Sequence, residues 1–146
     1  MNKHVFSVII AGCFLILATV APTRAQMPGT AERVSIPFDF IVGAKTLPAG
    51  EYEIRRFSDL PDGLVVSNLR HHADAMFETE PVAARKIVSK GEIVFHRYGD
   101  SYFLFEVWAP GLETGREALP SRQERSLRRE MARNNGEPET VALAAY

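Results

Sequence analysis

The sequence predicts a mainly β domain: a six- to seven-stranded antiparallel meander that forms a small barrel or sandwich, with one polar α-helix near the C-terminus. Three observations predict it. Val34, Ile36, Phe38, Phe40 and Val42 alternate strictly with other residues, the period of a strand with one face in a core. Two aromatic runs, 92–98 and 101–108, flank the dipeptide Gly99-Asp100, which suits a two-residue hairpin turn. Turn chemistry recurs at short intervals between apolar runs, as in an all-β chain.

The elements follow in order. Lys3 and His4 are followed by an apolar run, Val5 to Ala21, broken only by Ser7 and Thr19. Pro22 ends the run, and Thr23-Arg24-Ala25 supplies small residues at the two positions a signal peptidase reads. Residues 1–25 are therefore expected to be a cleaved secretory signal peptide. The run of 17 residues is at the lower edge of a membrane span, and the Pro22 break favours cleavage over an anchor. A lipid anchor through Cys13 is the minor alternative. The apolar Phe14-Leu15-Ile16-Leu17 beyond it argues against that, because a lipidated chain normally continues in polar residues.

After cleavage 121 residues remain, with 15 basic against 18 acidic side chains and a formal charge of −3. That balance is no footprint for nucleic acid. The only cysteine leaves with the signal, so disulfides, thiolate chemistry and cysteine metal sites are excluded from the mature protein. The expected location is periplasmic or extracellular, with no membrane span after cleavage.

Residues 26–31, with Pro28 and Gly29, read as a flexible leader, and 32–119 as the β domain. Residues 34–42 form the first expected strand, at an edge or bulged because Pro37 has no amide to donate. Leu47-Pro48-Ala49-Gly50 is a type I turn. Strands are expected over 51–57, 64–69 and 73–79, the last stopped by Pro81. Residues 82–91 fit either a helical turn or a loop. In the hairpin, a type II′ turn at Gly99 sets Tyr98 opposite Ser101. Counting back, His96 meets Phe103, Phe95 meets Leu104, Val94 meets Phe105, Ile93 meets Glu106 and Glu92 meets Val107. Both faces are then apolar, and one must be covered by something other than the core.

Ser121-Arg122-Gln123-Glu124 is a capping box opening a helix from about 121 to 133, within a C-terminal helical segment 120–135. Its five arginines are interleaved with acids, including a Glu124–Arg128 pair, and only Leu127 and Met131 mark an apolar line. Asn134-Asn135-Gly136 ends it. Residues 136–146 are a final strand or a tail.

Two stretches carry a resemblance. Pro37-Phe38-Asp39-Phe40, Gly43 and Leu47-Pro48-Ala49-Gly50-Glu51-Tyr52 form the first. Phe95-His96-Arg97-Tyr98-Gly99-Asp100 with Tyr102-Phe103-Leu104 and Trp108 forms the second. With Gly115-Arg116-Glu117 and Pro120-Ser121, this resembles a family of short exported bacterial proteins of unknown function. The resemblance implies export and a shared fold, and it supplies no catalytic residue.

No catalytic residue is expected on other grounds either. There is no Gly-x-Ser-x-Gly elbow and no phosphate-cradling loop. His71, His72, Asp74, Glu78 and Glu80 cluster locally, with His72 and Asp74 as the weak metal candidates; a polar loop between strands is the preferred reading. Glu106, alone among apolar neighbours, is expected to pair with Arg97. No cofactor is implied. The candidate surface is aromatic: Tyr98, Tyr102, Phe103, Phe105 and Trp108. The preferred function is an exported non-enzymatic binding or structural protein that uses this hairpin face for a protein partner or for self-association as a homo-oligomer. The alternative is a carrier of a small apolar ligand in a β-barrel cavity. A metal- or carboxylate-dependent hydrolase ranks third.

Overall fold

The computed structural model describes residues 31–146 apart from Arg85, so the expected signal peptide, with Cys13, lies outside the described residues. Ten strands and one helix follow in chain order: β1 Glu32–Ile36, β2 Phe40–Val42, β3 Lys45–Leu47, β4 Gly50–Arg56, β5 Gly63–Asn68, β6 Asp74–Ala83, β7 Glu92–Tyr98, β8 Ser101–Trp108, β9 Thr114–Ala118, α1 Arg122–Arg133 and β10 Glu139–Ala144. Among the described residues the protein is mainly β and antiparallel, with a single helix near the C-terminus. Among the described residues, no helix is long and apolar enough to cross a membrane.

The strands join in one sheet. Its path runs β1-β4-β5-β6-β9-β8-β2-β3, and β7 branches from β8 to carry β10 on its far side. The sheet folds over, so residues from both halves share one core. Phe40 on β2 meets Tyr52 on β4 edge-on at 5.0 Å, and Phe40 meets Phe95 on β7 at 5.5 Å. Val34, Ile54, Val66, Ile93, Leu104 and Val107 fill the space around them. The sheet does not close into a barrel. Where β10 comes up to β1, Tyr146 N donates to Arg33 O at 2.9 Å, and no ladder forms between the two strands.

Several sequence expectations are corrected by the ladders. The alternation over 34–42 keeps its burial pattern, but not as one strand. Pro37 cannot continue the ladder, and the chain leaves β1 at Ile36 and re-enters as β2, which pairs in parallel with β8. Asp39 Oδ1 accepts from Ala49 N at 2.9 Å and fixes the crossing. Pro81 does not stop β6. That strand pairs with β5 up to Glu78 and with β9 from Thr79 onward. Ala84 N donates to Glu113 O, and the alternation this sets turns the Pro81 nitrogen away from β9, where no donor is needed. The order is therefore not a simple meander: β6 neighbours β9, and residues 84 and 86–91 are neither helix nor strand.

The hairpin turn is as expected. Gly99 has φ 61° and Asp100 does not share that region, the pattern of a type II′ turn. The register holds from Tyr98↔Ser101 to Phe95↔Leu104 and then slips. Val94 meets Glu106, Ile93 meets Val107 and Glu92 meets Trp108, because β8 carries one extra residue, Phe105. A bulge of this kind re-aims every later side chain.

Helix α1 starts on Ser121, whose hydroxyl accepts from Glu124 N at 3.1 Å. The Glu124 carboxylate does not reach back, and it makes no pair with Arg128; it turns inward to His96. At the other end Asn135 takes φ 53°, while Asn135 N donates to Ala132 O and Gly136 N to Met131 O. That is a Schellman closure, with asparagine where glycine is commonest. Loss of the Ser121 cap should loosen this helix before the sheet. Ser121→Ala is expected to cost about 1 kcal/mol of helix stability, read as faster amide exchange over 122–133 with exchange in β4 and β5 unchanged. The last segment is a strand. β10 pairs with β7 along its length and turns Val141 and Leu143 toward the core.

Candidate binding groove

The bulge at Phe105 builds the outer face of the hairpin. Leu104 and Val107 both reach the core, although they are three residues apart. Phe103, Glu106 and Trp108 fall on the opposite side with Val94, His96 and Tyr98. The ring of Phe105 stacks on His96 with centroids 3.6 Å apart and planes at 22°. Without the bulge, Glu106 would face the core.

Helix α1 covers one end of this face. Glu124 is buried, and its Oε1 lies 3.7 Å from His96 Nδ1. Beneath it Tyr98 and Phe103 are buried, their rings edge-on at 5.6 Å. The Tyr98 hydroxyl makes no well-formed hydrogen bond. Burial holds its pKa above the usual tyrosine range, the nearby Glu124 carboxylate adds to that, and Arg128 opposes it. Tyr102 does not belong to this face. It stacks on Phe38 at 3.8 Å at the rim of the core, with the Arg97 guanidinium 5.4 Å from its ring centre. Of the five aromatic candidates, four therefore share a face, and three of these (Tyr98, Phe103, Trp108) are buried.

The other end of the face opens into a groove of about 1000 Å³. Phe105 and Trp108 form its floor. Val82 and Ala83 at the end of β6, with Ile87 and Val88 beyond them, form one wall, and Thr140 and Ala144 of β10 lie on the other side. Two backbone bonds hold the loop wall: Ala84 N to Glu113 O at 2.8 Å and Gly111 N to Val88 O at 2.9 Å.

Trp108 is fixed from two directions. Its Nε1 donates to Glu106 Oε2 at 2.9 Å. Its ring lies across Gly115 of β9, where a Cβ would stand 2.4 Å from Trp108 Cε3. Only a residue without a side chain leaves room for the indole there.

Beside the tryptophan runs a row of carboxylates. Glu117 on β9 is the cross-strand partner of Glu80 on β6 and of Glu106 on β8. Like charges opposed across strands destabilise a sheet. Partial burial is the largest cause of a raised Glu117 pKa; Glu106 and Glu80 raise it further, and His96 and Arg128 offset part of the effect. A carboxyl whose folded pKa is raised is favoured while protonated, and it costs stability as pH rises from its unfolded value through the folded one. Glu117→Gln is therefore expected to raise the melting temperature at pH 7. The gain should shrink as pH falls and vanish below the ordinary glutamate value of 4.5. Melting curves of both proteins between pH 3.5 and 8 check this.

The remaining candidates are dispersed. His71 and His72 lie exposed in the loop before β6, and Asp74 opens that strand on its exposed face. No group of three or more metal-ligating side chains is assembled among the described residues. The expected Glu106–Arg97 pair is absent. Arg97 bonds Glu139 of β10 at 3.1 Å, and the bulge moves Glu106 to the tryptophan.

Sequence reasoning missed the roles of Glu117 and Gly115 and the wall at 82–83 and 86–88. Pro110, Gly111 and Gly115 make 109–119 read as an irregular segment, whereas the structure places Gly115 inside β9. Glu117 carried no signal, because its importance comes from neighbours on two other strands. The segments behind the family resemblance have structural work here: Asp39 ties Ala49, Tyr52 Oη donates to Pro48 O at 2.6 Å, Gly99 makes the turn and Gly115 seats Trp108.

Comparison with protein-family models, with curated proteins and with solved structures finds no match for this chain.

Proposed function

We propose that this is an exported, non-enzymatic binding protein that receives a segment of a protein partner in the groove floored by Phe105 and Trp108. The observation that carries the reading is the uneven covering of the hairpin's outer face. Helix α1 seals the Tyr98–Phe103 end, whereas the Phe105–Trp108 end opens into the groove. A concave, partly apolar site with a few fixed polar groups is the usual form of a binding site. Export rests on the pattern of residues 1–25, and the resemblance to short exported bacterial proteins agrees with it.

The carrier reading has less support. The space between the two halves of the sheet is filled by Phe40, Tyr52, Ile93 and Phe95, so an apolar ligand would also have to use the outer groove.

Native mass spectrometry of the protein, purified after secretion from a bacterial host, tests the proposal. The expected result is a monomer that takes up one peptide from an added tryptic digest of serum albumin. Ala83→Phe, which fills the exposed groove wall, should abolish uptake without lowering the melting temperature. A retained small apolar molecule would instead support the carrier. A dimer dissociated by Phe105→Asp would support self-association. A bare monomer that takes up no peptide would overturn the proposal.

A further inference from the structure

We infer that the segment bound in this groove presents a lysine or arginine beside an apolar side chain. This deepens the proposed function and rests on the groove being the binding site. Glu106 and Glu117 face each other across β8 and β9 and both line the groove. Among the described residues neither forms an ion pair: the pairs are Arg33–Glu53, Arg70–Glu51, His96–Glu124, Arg97–Glu139 and Arg116–Asp62, and His96 and Arg128 offset only part of the rise in the Glu117 pKa. Two half-buried carboxylates side by side repel each other and lose hydration. A bound cation removes both costs at once.

The surroundings favour a cation carried on an apolar segment. Trp108 orients the Glu106 carboxylate through its indole N–H, so one acceptor is held in place before binding. The aromatic floor of Phe105 and Trp108 attracts a cation through its rings and packs against an aliphatic or aromatic neighbour. Among the described residues the groove's other charges are Glu92, which adds to the negative side, and Lys86 and Lys90. Both lysines are exposed on the loop wall, where their ammonium groups stay hydrated.

Trp108 is the only tryptophan of the chain, so its emission reports on this groove directly. The experiment titrates the full secreted protein with acetylated, amidated Phe-Lys-Phe and, in parallel, with Phe-Glu-Phe. The expected result is a saturable change in emission with the lysine peptide, at least tenfold tighter than with the glutamate peptide at low salt. Raising the salt should narrow that ratio. Glu117→Gln should bring it close to one while the protein still melts cooperatively. Exposed Glu78, on the other half of β6, serves as the control, and Glu78→Gln should leave the ratio unchanged. Equal binding of the two peptides would overturn the inference and leave the groove standing as the site. Tighter binding of the glutamate peptide would also overturn it and would assign recognition to Lys86 and Lys90. No response to either peptide would overturn the inference together with the reading of the groove on which it rests.

Discussion

Gly115→Val is expected to lower the melting temperature of this protein by about 10 °C and to shift the Trp108 emission to the red. The cause is local. A Cβ at position 115 would stand 2.4 to 2.6 Å from three atoms of the Trp108 ring, inside any permissible carbon–carbon contact. The ring cannot yield freely, because its Nε1 is bonded to Glu106 and its own strand is held by β7 and β9. Overpacking costs about 1–3 kcal/mol, and losing the indole bond adds about 1 kcal/mol. For a domain of this size each kcal/mol moves the midpoint by about 3–5 °C. Valine is otherwise a better strand residue than glycine, so an unchanged or raised midpoint would show that Trp108 is not seated on Gly115. If the groove binds a partner segment as proposed, the same variant should weaken that binding, since the floor itself moves.

Phe95→Ala is expected to remove a third or more of the protein's stability at 25 °C. Phe95 is fully buried, with its ring edge-on to Phe38 at 5.3 Å and to Phe40 at 5.5 Å. It joins the hairpin to the crossing from β1 to β2 and so ties both halves of the sheet to one core. Truncating such a ring costs about 3–5 kcal/mol, against a total stability of about 5–15 kcal/mol for a domain. Urea unfolding should show the midpoint falling by a third or more. Phe95→Leu, which leaves a smaller cavity, should lose distinctly less. Equal, small losses for both would mean that the core collapses around the site, and that the two halves do not depend on this ring.

The difference between the two sites explains what the sequence made legible. Alternation and turn residues act over a few neighbours, and they were read correctly where only neighbours matter. The buried set 34, 36, 40 and 42, the type II′ turn at Gly99, the strand expected over 51–57 and found as Gly50–Arg56, and the Ser121 cap are of this kind. The same local view placed Glu106 opposite Ile93 and paired it with Arg97. It failed there because a bulge is decided by the fit of two strands to a common core, not by the order of residues on one of them. Pro81 was read as a stop for a related reason. Whether a missing amide matters depends on which side that nitrogen faces, and the register with β9, where Pro81 lies opposite Arg116, turns it away from the ladder.

By itself the sequence determined the fold class, the hairpin and its turn, the cap of the helix and the absence of cysteine chemistry after residue 25. All of these follow from periodicity, backbone preference and composition, which are properties of short segments. Only the tertiary structure decided that β6 bridges the two halves, that α1 seals one end of the aromatic face, and that Trp108, Glu106 and Glu117 converge beside a groove. Those three side chains come from two strands in register, with Glu80 of a third beside them, and register is set by the packing of the whole sheet.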